Sequence, residues 1–291
     1  MRKIFSCIAI AMLFVGCSGR EDVIVIGSKN YSEQLIIGNI LHMLIDENSD
    51  LKTRLVPNLS SNVIFAAIKS GDVHLYVEYS GTIYSNYFGN TERRSPQEVL
   101  AIAKTGLDRE HDILVLGELG FNNTNTLTVR QDTAENHNLR TISDLVPVAP
   151  ALVLGSTGEF TERPDGFPGV QALYGIDFKE KVVLTGNLRY TALLNDNVQV
   201  MDAYSTDGLL LRYGLVILED DLGAFPYYHA VPIIRRDIAE KHPELVQVLN
   251  RLTGTLDEES MRELNYRVDV DREDPRDVAR SFLVQAGLIK P

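Results

Sequence analysis

From Val23 onward, short apolar runs of strand length alternate with longer amphipathic runs of helix length. That alternation restricts the chain to an α/β class with largely parallel sheets covered by helices. Val23 to Ile26 reads as a buried strand. A helix is predicted from Ser32 to Glu47, with Asn30 placed to cap it, Glu33 three residues on, and Ile36, Ile40, Met43 and Leu44 on one face. Leu51 to Pro57 is a second strand, and Asn62 to Ser70 a second helix stopped by Gly71. Val73, Leu75 and Val77 then alternate with polar or aromatic neighbours, as in a strand with one face on a core. The run ends at Glu78-Tyr79 and turns through Ser80-Gly81-Thr82 into a helical segment, Ile83 to Phe88. Ser95-Pro96-Gln97-Glu98 combines a serine cap, proline at the first helical position and glutamate at the third. A strand, Ile113 to Leu116, closes this half.

The rhythm restarts at Thr124. Strands are predicted at Thr126 to Val129, Ala151 to Leu154, Lys181 to Thr185, Val198 to Ala203 and Val216 to Glu219. Helices begin near Ser143, Pro168, Asn187 and Asp207, and the last sixty or so residues are mostly helical, with Pro243 and Pro275 opening two helices. Two such series with a C-terminal return predict two lobes. Residues 23–123 and 230–291 would form lobe 1 and residues 124–229 lobe 2, the chain crossing near Asn122 to Thr128 and Tyr227 to Ile233.

The first residues bear on compartment. Arg2 and Lys3 precede an apolar run from Ile4 to Val15, too short to span a bilayer, and Val15-Gly16 supplies small side chains before Cys17. Residues 1–16 read as a signal peptide and residues 17–22 as a tether. Leu13-Phe14-Val15-Gly16-Cys17 resembles a bacterial lipobox, with Phe14 replacing the usual leucine, so Cys17 is the expected lipidation site. The expected location is periplasmic, or the outer face of the cytoplasmic membrane. Cys7 and Cys17 are the only cysteines, so the mature chain has no internal disulfide and must be held by its core. Loss of Arg2 and Lys3 leaves 26 basic against 40 acidic residues, a charge of about −14 that disfavours nucleic acid as a partner.

Catalytic signatures are missing: there is no Walker loop, no G-x-S-x-G, no G-x-G-x-x-G and no H-E-x-x-H. Neither a metal nor a cofactor is expected. Glu219-Asp220-Asp221 reads as a solvated loop at a strand end, and Asn122-Asn123-Thr124 as a chance match to the glycosylation pattern. An exported enzyme with Glu78 or Asp207 as base is an alternative that nothing else in the sequence completes.

What recurs is tyrosine at a strand end beside small polar residues. Asp202-Ala203-Tyr204-Ser205-Thr206-Asp207-Gly208 repeats the logic of Glu78 to Thr82, and Phe225-Pro226-Tyr227-Tyr228 sits where the chain returns to the first lobe. In open α/β sheets, ligands bind beyond the carboxyl ends of strands. Ring faces there attract cations, and N–H groups at helix starts attract anions, so the pattern suggests a zwitterion site.

These segments, with Ile26 to Gln34, Phe121 to Thr124, Gly158-Glu159-Phe160, Arg163-Pro164-Asp165-Gly166 and Leu218 to Asp221, resemble the substrate-binding proteins of ABC importers for quaternary ammonium osmoprotectants. They stand in family order over nearly the whole mature chain. The resemblance implies a two-lobed, type II periplasmic-binding-protein-like fold, each lobe a mostly parallel sheet flanked by helices. It implies a monomer that binds glycine betaine, proline betaine, choline or carnitine and delivers it to an ABC permease with a cytoplasmic ATPase. By motif, Tyr79, Tyr204 and Tyr228 would wall the trimethylammonium head, while Lys29, Thr82 and Arg163 would hold the carboxylate. The register leaves Tyr227 as an alternative to Tyr228. Many relatives carry a further box tyrosine where this chain has Asn125. Asn125 either leaves the box a wall short or accepts a hydrogen bond from a ligand with N–H groups, such as a basic amino acid.

Overall fold

The computed structural model describes residues 23–291. The expected signal peptide and tether, with Cys17, lie outside the described residues. Ten strands form in chain order: β1 (Val23–Lys29), β2 (Lys52–Leu59), β3 (Leu75–Tyr79), β4 (Ile113–Val115), β5 (Asn125–Val129), β6 (Val153–Ser156), β7 (Glu180–Val183), β8 (Val200–Tyr204), β9 (Val216–Leu218) and β10 (Ala230–Arg235). They build two five-stranded sheets, ordered β2-β1-β3-β10-β4 and β7-β6-β8-β5-β9.

The two sheets share one design. In each, four strands run the same way and the strand that follows a crossing opposes them. β10 is antiparallel to β3 and β4, and β5 is antiparallel to β8 and β9. The two crossing segments touch at an isolated Asn122–His229 bridge. Each sheet is covered on both faces, and the core divides accordingly. In the first sheet, Ile24, Ile26, Leu75 and Val77 pack against the long helix α1 (Ser32–Asn48) and the C-terminal helices. Val25, Tyr76, Val231 and Ile233 pack on the opposite face. In the second, Leu127, Val129, Leu154 and Val200 face one layer, and Met201 and Ala203 the other.

Several local readings need adjusting. Asn30 does not cap α1: Tyr31 occupies the cap position and makes no side-chain cap hydrogen bond. Glu33 leaves the helix end and turns inward, 3 % exposed, because stronger donors await it there. The segment after β3 is helical from Ser80, but its hydrogen bonds widen. Phe88 N–H donates to Ile83 O, five residues back, a π-type turn of the kind often found at functional sites. The helices Gln131–His137 and Gly158–Glu162 are too short to leave a periodic signal. At Ser95, by contrast, both bonds of the capping box form. Asp220 is the scaffold of a turn, accepting from the Ala224 and Phe225 N–H groups at 2.7 Å each and from the Tyr174 hydroxyl at 2.6 Å.

Candidate ligand-binding site

Strand ends from both sheets, the two crossings and the helix Glu258–Asp269 converge on one cavity of about 620 Å³. That size falls in the ~300–1,000 Å³ range of small-molecule sites. All seven ligand-contacting residues expected from the sequence line it: Lys29, Tyr79, Thr82, Asn125, Arg163, Tyr204 and Tyr228. A second cavity, of about 910 Å³, lies beyond Arg163 and Asn86. Tyr227 lines that one, and Tyr228 the first.

The three rings differ in how they are held. Tyr204 ends β8 and is 44 % exposed, so its face is open to the cavity. Tyr79 ends β3 and is 4 % exposed. Its hydroxyl donates to Glu33 Oε1 at 2.5 Å and accepts from Gln34 Nε2 at 3.1 Å, which leaves only the ring for a ligand. Burial, with the Glu33 charge beside it, pushes that phenol well above its ordinary pKa. Tyr228 is fixed in the same manner, donating to Asp165 Oδ2 at 2.7 Å and accepting from Arg163 Nη2 at 3.3 Å. Its ring lies against Gly81, where an added Cβ would meet two ring carbons at 2.7 Å and the Tyr227 carbonyl at 2.8 Å. Glycine at 81 is therefore required by close approach.

The cations are engaged. Lys29 is buried and pairs with the fully buried Glu78 at 2.5 Å, while its Nζ stands 5.2 Å from the Tyr79 ring centroid. Glu78 also accepts from the Tyr79 N–H at 2.8 Å and from the hydroxyls of Tyr76 and Tyr87, so it is a structural acceptor rather than a free base. Arg163 grips Asp165 bidentately, at 2.8 Å and 2.5 Å, and reaches Glu159 at 2.7 Å. Burial opposes charge on Asp165, yet the Arg163 and Tyr228 donors hold its carboxyl below the ordinary range. Asp202 and Arg189, both buried, form a 3.5 Å pair beneath the site. Asp202 also accepts from the Thr157 N–H at 2.9 Å, tying β8 to the helix that carries Glu159.

Sequence reasoning missed Tyr31, Glu33, Asn123, Asn265 and Asp269 as parts of the wall. Asn265 and Asp269 had no signal, because they come from a helix more than 180 residues after Tyr79. Asn265 Nδ2 donates to Glu33 Oε2 at 3.0 Å and to Thr206 O at 2.8 Å, joining the two sides of the cavity. Among the described residues, no group of His, Cys, Asp and Glu is arranged to hold a metal ion.

Paired α/β sheets with a solute-sized cavity between their strand ends suit a solute-binding protein. The chain belongs to the family described as the substrate-binding domain of ABC-type glycine betaine transport systems, which it matches over residues 22–285. It is 36 % identical over 266 residues to the carnitine transport binding protein of Listeria monocytogenes, covering 90 % of this chain and 86 % of that one. It is 32 % identical over 271 residues to the ergothioneine transport permease/ergothioneine binding protein of Helicobacter pylori, covering 92 % of this chain but 48 % of that longer protein. The crystal structure of a glycine betaine/carnitine/choline ABC transporter superposes with a TM-score of 0.86 at 32 % identity, covering 91 % of this chain and 99 % of that one.

Proposed function

We propose that this protein captures a betaine-type quaternary ammonium solute between two closing lobes and hands it to an ABC permease. The lobes are residues 23–123 with 230–291, and residues 124–229. The observation that carries the reading is the meeting of tyrosine rings from β3, β8 and the return crossing in one cavity with Lys29, Thr82 and Arg163. A quaternary ammonium has no N–H to donate, so ring faces are its natural desolvated partners, at about 0.5–2 kcal/mol each. The carboxylate end takes Lys29, which spends one of its three N–H groups on Glu78, with the Thr82 hydroxyl. Arg163 joins them by exchanging the exposed Glu159 oxygen for the ligand's. A ligand bridging both lobes stabilises the closed state by its differential contacts.

In this reading the chain is an exported, monomeric lipoprotein held through Cys17, on the periplasmic side or the outer face of the cytoplasmic membrane. Calorimetric titration with glycine betaine, proline betaine, choline and carnitine tests it. Saturable heat with at least one is expected, along with a melting temperature that rises with ligand concentration. No heat and no stabilisation with any of them would remove the assignment.

A second reading, a ligand bearing N–H groups, is favoured by Asn125 and by the wall carboxylates Glu33, Asp207 and Asp269. Arginine, which has N–H groups and no quaternary ammonium, decides between the two in the same titration.

A further inference from the structure

Glu33 is a buried carboxylate to which the betaine reading above gives no role. It lines the cavity, and the donors that reach it are neutral, among them the Tyr79 hydroxyl at 2.5 Å, Asn123 Nδ2 at 2.8 Å, Asn265 Nδ2 at 3.0 Å and the Thr206 side chain. No ion pair reaches it among the described residues. Lys29 and Glu78 cancel one another beside the same ring. Burial pushes the Glu33 carboxyl above its ordinary range; when it is ionised, the surroundings of Tyr79 carry one ammonium and two carboxylates, an excess of one negative charge in a site where charge is poorly screened. A buried charge without a counter-ion is costly, and a cationic ligand relieves that cost on entering.

The path of the effect is also visible. A phenol that donates to a carboxylate is polarised so that its ring becomes more electron-rich, which strengthens its attraction for a cation. The structure already stations an ammonium, Lys29 Nζ, within 5.2 Å of that centroid. We propose that Glu33 is the specificity-determining counter-charge for the ligand's quaternary ammonium, acting through the Tyr79 ring and through space rather than by contact. This rests on the betaine reading above and says which residue makes that reading discriminate charge from shape.

The test compares each betaine with the carbon isostere whose head is a neutral tert-butyl group: glycine betaine with 3,3-dimethylbutanoate, and carnitine with 3-hydroxy-5,5-dimethylhexanoate. In the native protein the member with the ammonium head binds more tightly. In Glu33→Gln the preference falls by about tenfold, because the betaine weakens while the isostere keeps its affinity within about twofold. Equal losses for both members would make Glu33 a structural residue and overturn the proposal. If the native protein binds a betaine and its isostere equally, the counter-charge idea fails while the betaine reading stands. If it binds no betaine, that reading fails first and takes this one with it.

Glutamine places an N–H among three donors and risks the fold. A second measurement on the native protein therefore follows the Glu33 side-chain carboxyl carbon by NMR through a pH titration. By linkage, Glu33 should titrate about one pH unit lower in the betaine complex than in the isostere complex. The same midpoint in both complexes would overturn the proposal without any variant.

Discussion

Asn125 and Tyr204 stand directly opposite one another across the β5–β8 antiparallel pair, so both side chains meet at the mouth of the same cavity. Residues so placed have Cβ atoms about 4.5–5.5 Å apart, close enough to act as one surface. Position 125 thus sets the polarity of the ground facing the most exposed ring of the site.

Asn125→Tyr is expected to add a second ring beside Tyr204 and tighten binding of a quaternary amine by about 1 kcal/mol, or roughly fivefold. Isothermal titration of both proteins with the same betaine measures this. Weaker betaine binding in the variant would favour a ligand that uses the Asn125 amide.

Tyr204→Ala should separate binding from stability. The ring is 44 % exposed, so little burial is lost and the melting temperature of the empty protein should move by only a degree or two. Betaine affinity should drop about three- to thirtyfold. A large fall in melting temperature would show the ring to be core instead.

Gly81→Ala tests close packing. Its new methyl would collide with the Tyr228 ring and the Tyr227 carbonyl, at 2.7 Å and 2.8 Å. The strain should cost about 1–3 kcal/mol and lower the melting temperature by several degrees. Affinity should fall too, as Tyr228 is pushed off its position. A variant as stable as the parent would show that Tyr228 can move freely.

Asp165 provides a pH dependence. Its carboxyl titrates below the ordinary value despite burial, held there by Arg163 and Tyr228. A folded-state value below the unfolded one gives stability that is present above the unfolded pKa, about 3.9, and is lost as pH falls through the folded value. Asp165→Asn should therefore melt below the parent at pH 7, and the gap should close as the pH drops under about 4. A gap that persists in acid would mean that the cost comes from lost hydrogen-bond geometry rather than charge.

Much of the architecture was legible because its elements carry strong local signals. The Ser95 capping box and Gly71, which ends its helix with φ +92°, mark boundaries that tertiary contacts do not override. The ring residues were legible from their recurrence at strand ends. Glu33 was not. In sequence it sits at the spacing of a capping partner to Asn30, and that local role explains it fully. Burial decided otherwise: donors from Tyr79, Asn123 and Asn265, remote in sequence, outcompete the helix end. Lys29 and Arg163 were legible as cations near the ligand, but their carboxylate partners were not. Arg163 and Asp165 form a fork across two residues, whereas Lys29 and Glu78 meet across 49, a distance that no local pattern reports.

The wall of the cavity draws on Lys29 near one end of the chain and on Asn265 and Asp269 near the other. Gly208 packs against the Tyr266 backbone, where an added Cβ would meet its nitrogen at 2.5 Å, so the seam there closes only when that late helix is in place. A chain that emerges N-terminus first has both sheets' parallel strands in hand long before it has this helix. Such a chain cannot hold solute until almost its last residues are delivered. Premature stops ahead of that helix should consequently strip core side chains such as Met261, Leu264 and Phe282 along with the ligand wall, and solute present during emergence cannot trap a half-made lobe.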